Sequence, residues 1–458
     1  MSMNDDAPAT RPGYRYYVLA LLILVYTLNF LDRQILGILA TPLKAEFQLT
    51  DRQFGLMSGL AFALLYTTMA LPIAWLADRF SRVWIMTVAL TFWSGFTALC
   101  GTAGNFTQLF LCRMGVGVGE AGGVAPSYSL IADYFPKRQR ARALAAYSFG
   151  IPIGTATGTL VGGLLAVNYG WRTSFVVVGV IGVLVAPLFR MTVRDPRRGG
   201  SDEPRPDSTT AEPAARLKPA VAPAAPSAPS FGAVLRTLLP KPSFWLLSFG
   251  AASSSICGYG VALWLPSFFQ RSLGLTLSQT AWYYSGIALI GGMIGIWLGG
   301  VMADRLGAKS RGYYPLVPAI AFLISVPCFL LAMNSGALLS QFTGDTSNSS
   351  WQALTVAFLI FLVPTGLNLA WLGPITASIQ HLVPAPMRTT ASALFLLINN
   401  LIGIASGIYY FGWMSDLLRP TFGDESLRWS IYSGMGFYVL SSFLLLTASR
   451  TLKKDWIE

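Results

Sequence analysis

Four ionisable side chains stand inside long apolar stretches: Asp32 and Arg33 in one, Arg113 and Glu120 in another. Ionisable groups in hydrocarbon are costly and usually mark pathways or proton relays. Two acids facing two bases suit proton uptake coupled to exchange of ion-pair partners. Glu120 follows Arg113 by seven residues, almost two helical turns, so both lie on one helix face about 10 Å apart. One rigid arginine cannot fully satisfy two carboxylates. The carboxylate left unpaired takes a proton, because desolvation disfavours its charged form. The plainer alternative is a fixed ion cluster that only positions helices. Arg33 points about 100° away from its neighbour Asp32, which makes it a candidate gate or substrate contact.

Other chemistries find little support. The chain has one histidine, His381, and four cysteines with no CxxC pair, which argues against zinc, a disulfide scaffold or a catalytic triad. No GxxxxGK[ST] run is present for nucleotide binding. An enzyme and a cofactor are therefore not expected. His381 lies at the end of an apolar stretch and is either a gate residue or an ordinary interfacial histidine. Asn368, Asn399 and Asn400 are neutral polar groups in apolar surroundings. They serve either as contacts for a neutral part of a substrate or as helix-packing glue.

These residues require elements that cross hydrocarbon. Of 458 residues, 53% are apolar and 11% charged, against about 25% charged in soluble domains. Apolar runs of about 20 residues predict twelve spans, near 16–40, 52–77, 83–103, 106–131, 142–167, 172–192, 243–270, 280–303, 314–334, 352–381, 389–413 and 429–448. No small-residue cleavage site follows the first run, so a cleavable signal peptide is not expected. Both termini are expected in the cytoplasm of a multi-pass protein of the plasma (inner) membrane. With that topology, all of the 32 basic residues are cytoplasmic except Lys44, Arg52, Arg172, Arg271, Arg419, Arg428 and the in-span Arg33 and Arg113. The net charge of +12 then reads as a topology signal and contact with membrane lipids. The basic residues are spread over five loops, so nucleic acid is not an expected partner.

Residues 194–240 are rich in Pro, Ala, Ser and charge and read as a linker. It ends in an amphipathic stretch near Phe231–Leu239 expected at the membrane surface. The linker separates an N-terminal bundle, 1–193, from a C-terminal bundle, 241–458. The two repeat one another. Ala74-Trp-Leu-Ala-Asp78-Arg79-Phe-Ser81-Arg82 follows span two, and Gly300-Val-Met-Ala-Asp304-Arg305-Leu-Gly307-Ala-Lys309 follows span eight. Pro126, Pro136 and Arg140 recur 248 residues on as Pro374, Pro384 and Arg388. Parallel six-helix repeats around a central site are an alternating-access plan. Asp78 and Asp304 can each accept from a neighbouring helix N-terminus. With Arg79, Arg82, Arg305 and Lys309 they form a candidate cytoplasmic latch, or else simple helix caps. Gly150, Pro152, Gly154 and Gly158 permit close packing and a bend in span five.

The loop pattern after spans two and eight resembles the signature of the major facilitator superfamily. Arg113-Met-Gly-Val-Gly117 and Gly150-Ile-Pro152-Ile-Gly154…Gly158 resemble that superfamily's motifs in spans four and five. Asn29-Phe-Leu-Asp32-Arg33 and Arg113…Gly117-Val-Gly119-Glu120-Ala121…Ala125-Pro126 are similar to the Spinster-like branch, whose animal members carry lysophospholipids and sphingosine phosphate. Ala74 departs from the usual glycine, and the second loop copy lacks a third basic residue. The resemblance implies an all-α polytopic membrane protein with twelve transmembrane helices in two pseudo-symmetric six-helix bundles. It also makes spans one and four neighbours. At about 1.5 Å per residue, Asp32 and Arg113 then lie at similar depth and are expected to pair. The implied function is proton-coupled transport of an amphipathic lipid-like substrate by a monomer. The alternative on the same fold is transport of small organic anions or drug-like compounds.

Overall fold

The structure is a computed structural model and describes residues 12–196, 231–307, 309–343, 351–384 and 387–457. Every regular element among them is a helix. The first half contains span one (Pro12–Ile38), span two (Asp51–Arg79), span three (Arg82–Cys100), span four in two pieces (Phe106–Glu120 and Val124–Tyr134), span five (Gly150–Tyr169) and span six (Trp171–Thr192). The second half contains span seven (Pro242–Ser272), span eight (Leu277–Gly307), span nine (Tyr313–Met333) and span ten (Trp351–Gln380), followed by two more. Span eleven runs from Arg388 to Phe422 through a π-helical stretch, and span twelve is Ser426–Asp455.

Among the described residues, ten helices are long and apolar enough to cross a membrane, against twelve expected. The difference lies in two places. Span four is interrupted around Ala121–Gly123, so neither piece is long enough alone. Spans eleven and twelve run on as one stretch, Thr390–Asp455, of 66 residues. That is far longer than one crossing needs, and its two arms pack against each other. Twelve crossings result. Spans seven and eight have 31 residues each, about 46 Å of helix, so they overrun a hydrocarbon core of about 30 Å.

Local sequence accounts for the boundaries. Thr50 and Gln53 form a reciprocal capping box that starts span two: Gln53 N–H donates to Thr50 Oγ1 at 3.1 Å and Thr50 N–H to Gln53 Oε1 at 3.0 Å. Gly170, with φ of 84°, makes the tight turn between spans five and six. Pro152 cannot donate back to the carbonyl of Ser148, and the helix Lys137–Ser148 gives way to span five just there. The helical pattern is thus interrupted at Phe149, just ahead of the glycines. The glycines themselves provide close packing: a Cβ added at Gly158 would lie 2.7 Å from the Leu31 carbonyl oxygen of span one.

Residues 197–230, most of the expected linker, lie outside the described residues. Its final stretch is a helix, Phe231–Leu238. Val234 and Leu238 are buried and Thr237 Oγ1 donates to Met387 Sδ at 3.7 Å, so one face packs on the second half. Phe231 and Leu239 remain exposed.

The halves meet most closely at the end away from the termini. There Gly37 packs against Leu263, and Gly55 and Gly59 pack against Ile408. Gln34 Nε2 donates to the Ala262 carbonyl at 2.9 Å. Below these contacts lies a cavity.

Candidate functional site

The cavity holds about 1090 Å³ of atom-free space, counting the part open to solvent. The first half lines it with Arg33, Arg113, Gln34, Ser58, Phe30, Phe62, Ile151, Pro152 and Thr155. The second half supplies Ser255, Tyr259, Tyr284, Thr365 and Asn368 among Leu263, Leu369, Ile404 and Ile408. One wall is therefore cationic and the other neutral, with apolar surface on both.

The cations are held differently. Arg33 Nε donates to Glu120 Oε2 at 2.7 Å, and Glu120 is completely buried. The Arg33 guanidinium also lies 5.2, 5.1 and 4.8 Å from the ring centres of Phe30, Phe62 and Tyr66. Arg113 is 1% exposed, lies 5.6 Å from the Phe62 ring, and among the described residues leaves Nε and Nη1 without a hydrogen-bond partner. Asp32 is 2% exposed with Oδ1 unpartnered. Among the described residues it forms no ion pair. The expected sharing of Arg113 between Asp32 and Glu120 is therefore not the arrangement here. Backbone depth alone matches Asp32 with Arg113, whereas the long Arg33 side chain reaches from span one to span four and takes Glu120 for itself.

The asparagines divide. Asn368 lines the cavity, and its Oδ1 accepts from Tyr438 Oη at 2.9 Å. Asn399 lies one layer behind, where its Oδ1 accepts from the cavity-lining Ser255 at 2.9 Å. Asn400 touches Asn399 only weakly, at 3.5 Å. His381 stacks on Trp456 with ring centres 4.3 Å apart, and its carbonyl accepts from Ile457 N–H at 2.8 Å. Burial, with Arg388 and Arg311 nearby, holds its imidazole below the ordinary value. It anchors the C-terminal segment within its own half.

Among the described residues, the Asp78 copy of the expected latch is not engaged. Asp78 is exposed and makes no ion pair among the described residues. Arg79 instead covers the Trp75 ring at 3.6 Å. Arg82 is buried within the first half, where it pairs with Asp133 and Asp195 and donates to Ser129 at 2.8 Å. Arg305 and Lys309 are exposed, and the Asp304 side chain lies outside the described residues.

The opposite end is closed by a network that the sequence did not reveal. Asp51, 1% exposed, accepts from Arg271 Nη1 and Nη2 at 2.8 and 2.7 Å, from Ser415 at 2.8 Å, and from Lys44. Asp416 accepts from the backbone N–H groups of Asp51 and Arg52 at 3.1 and 2.7 Å, so an acid of span eleven caps the N-terminus of span two. Arg52 donates to Tyr409 at 3.0 Å. A signal existed for Arg271, which ends span seven with no other charged residue between 272 and 303. Asp51→Asn should leave Lys44 and Arg271 without their counter-ion. The closed end is expected to weaken by about 3 kcal/mol, or roughly a hundredfold in population. Spin labels at Ala45→Cys and Thr421→Cys should then report a longer distance, whereas an unchanged distance rules out a gating role.

Two pseudo-symmetric bundles around a one-sidedly charged cavity are the plan of an alternating-access carrier. Residues 22–407 match the Major Facilitator Superfamily. A major-facilitator-type efflux pump of Mycolicibacterium smegmatis is 30% identical over 99% of this chain and 97% of its own length. Protein spinster homolog 1 of Xenopus laevis is 28% identical over 97% of this chain and 82% of its own. A crystal structure of a bacterial homolog of the human lysosomal transporter Spinster, inward-facing and unoccupied, superposes with a TM-score of 0.79 at 30% identity, covering 98% of this chain and 99% of that one. The chain belongs to the Major Facilitator Superfamily and is a Spinster-like transporter rather than an enzyme.

Proposed function

We propose that the protein is a proton-coupled secondary active transporter of an amphipathic, lipid-like substrate, lysophospholipid or sphingolipid in type, and that this structure is its inward-facing state. The observation that carries the reading is the divided cavity. Arg33 and Arg113 offer charge to an anionic headgroup, while the apolar walls around Leu369, Ile404 and Ile408 accept a chain. Asp32 and Glu120 form the proton-handling pair, with Arg33 and Arg113 as the bases that exchange between carboxylate and substrate. The open latch around Asp78 and the closed network around Asp51 fit an inward-facing state, and the Spinster homolog of similar fold was captured facing that way.

A second reading keeps the mechanism and changes the cargo to small organic anions or drug-like compounds. It is favoured by the same two arginines, and the mycobacterial relative is named an efflux pump. Flux in proteoliposomes under an imposed pH gradient separates the two. The first reading predicts that a labelled lysophospholipid moves and a small carboxylate competes poorly. Carboxylate flux without lipid flux supports the second, and binding without any flux contradicts both.

In this reading the protein works as a monomer in the plasma (inner) membrane with both termini and the linker cytoplasmic. Thr210→Cys and Asp345→Cys should accordingly label from opposite sides of the membrane. Labelling from one side overturns this topology.

A further inference from the structure

A second hollow lies at the end away from the termini, beside Asp51 and apart from the central cavity. Thr41, Lys44, Arg271, Arg419, Asp424 and Ser426 line it around about 530 Å³ of atom-free space, counting the part open to solvent. Three bases thus face one acid in the lining. Asp51 behind it takes contacts from Lys44 and Arg271, and Asp416 lies near both of these cations, so the two are balanced from behind and Arg419 is the base left over. Burial, with Arg271 nearby, holds the Lys44 ammonium below the ordinary lysine range despite its contact with Asp51. Arg419 is exposed and makes no ion pair among the described residues. Its guanidinium is free to bind in the bidentate fork that matches an oxyanion.

We propose that this hollow binds a phosphate-type oxyanion and that its occupancy holds this end of the transporter shut. Thr41 and Lys44 belong to the first half and the other lining residues to the second. An anion touching both sides can do so only while the halves are together, so by linkage it favours the closed arrangement. The phosphate group comes either from the medium or from the headgroup of an anionic phospholipid. The inference stands independently of the cargo of the central cavity.

The test uses the full-length protein in detergent at constant ionic strength. Inorganic phosphate should raise the thermal unfolding midpoint and chloride should not. Arg419→Gln, which leaves the Asp51 contacts in place, should weaken the phosphate response about tenfold or more in apparent affinity. Arg419→Lys should retain part of it, which guards against a folding artefact. Equal phosphate responses in wild type and Arg419→Gln, or an equal response to chloride, overturn the proposal. In nanodiscs, a response present in neutral phosphatidylcholine but already saturated in phosphatidylglycerol assigns the site to a lipid headgroup. A response in both assigns it to soluble phosphate, and a response in neither overturns it.

Discussion

Arg33→Ala is expected to abolish transport and to cost about 3–5 kcal/mol of stability, because it strands a fully buried carboxylate. Much of that cost belongs to Glu120 left alone, so it should be recovered when the acid is also removed. The double variant Arg33→Ala/Glu120→Gln should regain most of the unfolding midpoint and none of the transport. A structural pair would give the same stability pattern, so transport is the deciding readout. Uptake restored in the double variant would make the pair a packing device. Loss of the aromatic contacts with Phe30, Phe62 and Tyr66 adds about 1–2 kcal/mol that the second substitution does not return. Arg33→Lys should therefore fold better than Arg33→Ala and still transport poorly.

Asp32→Asn should separate driving force from transport itself. Asparagine imitates the protonated acid in shape and removes its charge. Asp32 forms no ion pair among the described residues, so its neutralisation breaks no direct contact and folding should change by less than about 1 kcal/mol. A gradient of one pH unit supplies about 1.4 kcal/mol per proton, a tenfold concentration ratio. Wild-type vesicles should reach that accumulation, while the variant should only equilibrate substrate at the same affinity. Glu120→Gln should show the same loss or a slower cycle. Full gradient-driven accumulation in both variants would leave the cluster with a structural role alone.

The sequence revealed the repeated, all-helical plan because hydrocarbon demands long apolar runs and the duplicated loops carry the same acid–base pattern. It revealed the buried charges for the same reason, since an ionisable residue inside such a run is conspicuous. The partners of those charges were not legible. Whether Glu120 meets Arg33 or Arg113 depends on side-chain reach between spans one and four, which spacing along one chain does not encode. The break in span four was hidden too, as Gly122 and Gly123 read equally well as packing residues. The Asp51 network escaped because its members come from four separate segments, each with an ordinary loop charge. The latch around Asp78 was legible as a motif, yet its engagement depends on conformation, and Asp78 makes no ion pair among the described residues.

The account rests on protons moving with substrate, and proton movement can be read directly. Proteoliposomes carrying a trapped pH-sensitive dye, with no initial pH gradient, are given an inward gradient of lysophospholipid. Substrate should drive a pH change inside wild-type vesicles, and that change should vanish in Asp32→Asn vesicles that still take up the lipid. Lipid uptake by the wild type with no accompanying pH change would contradict proton coupling.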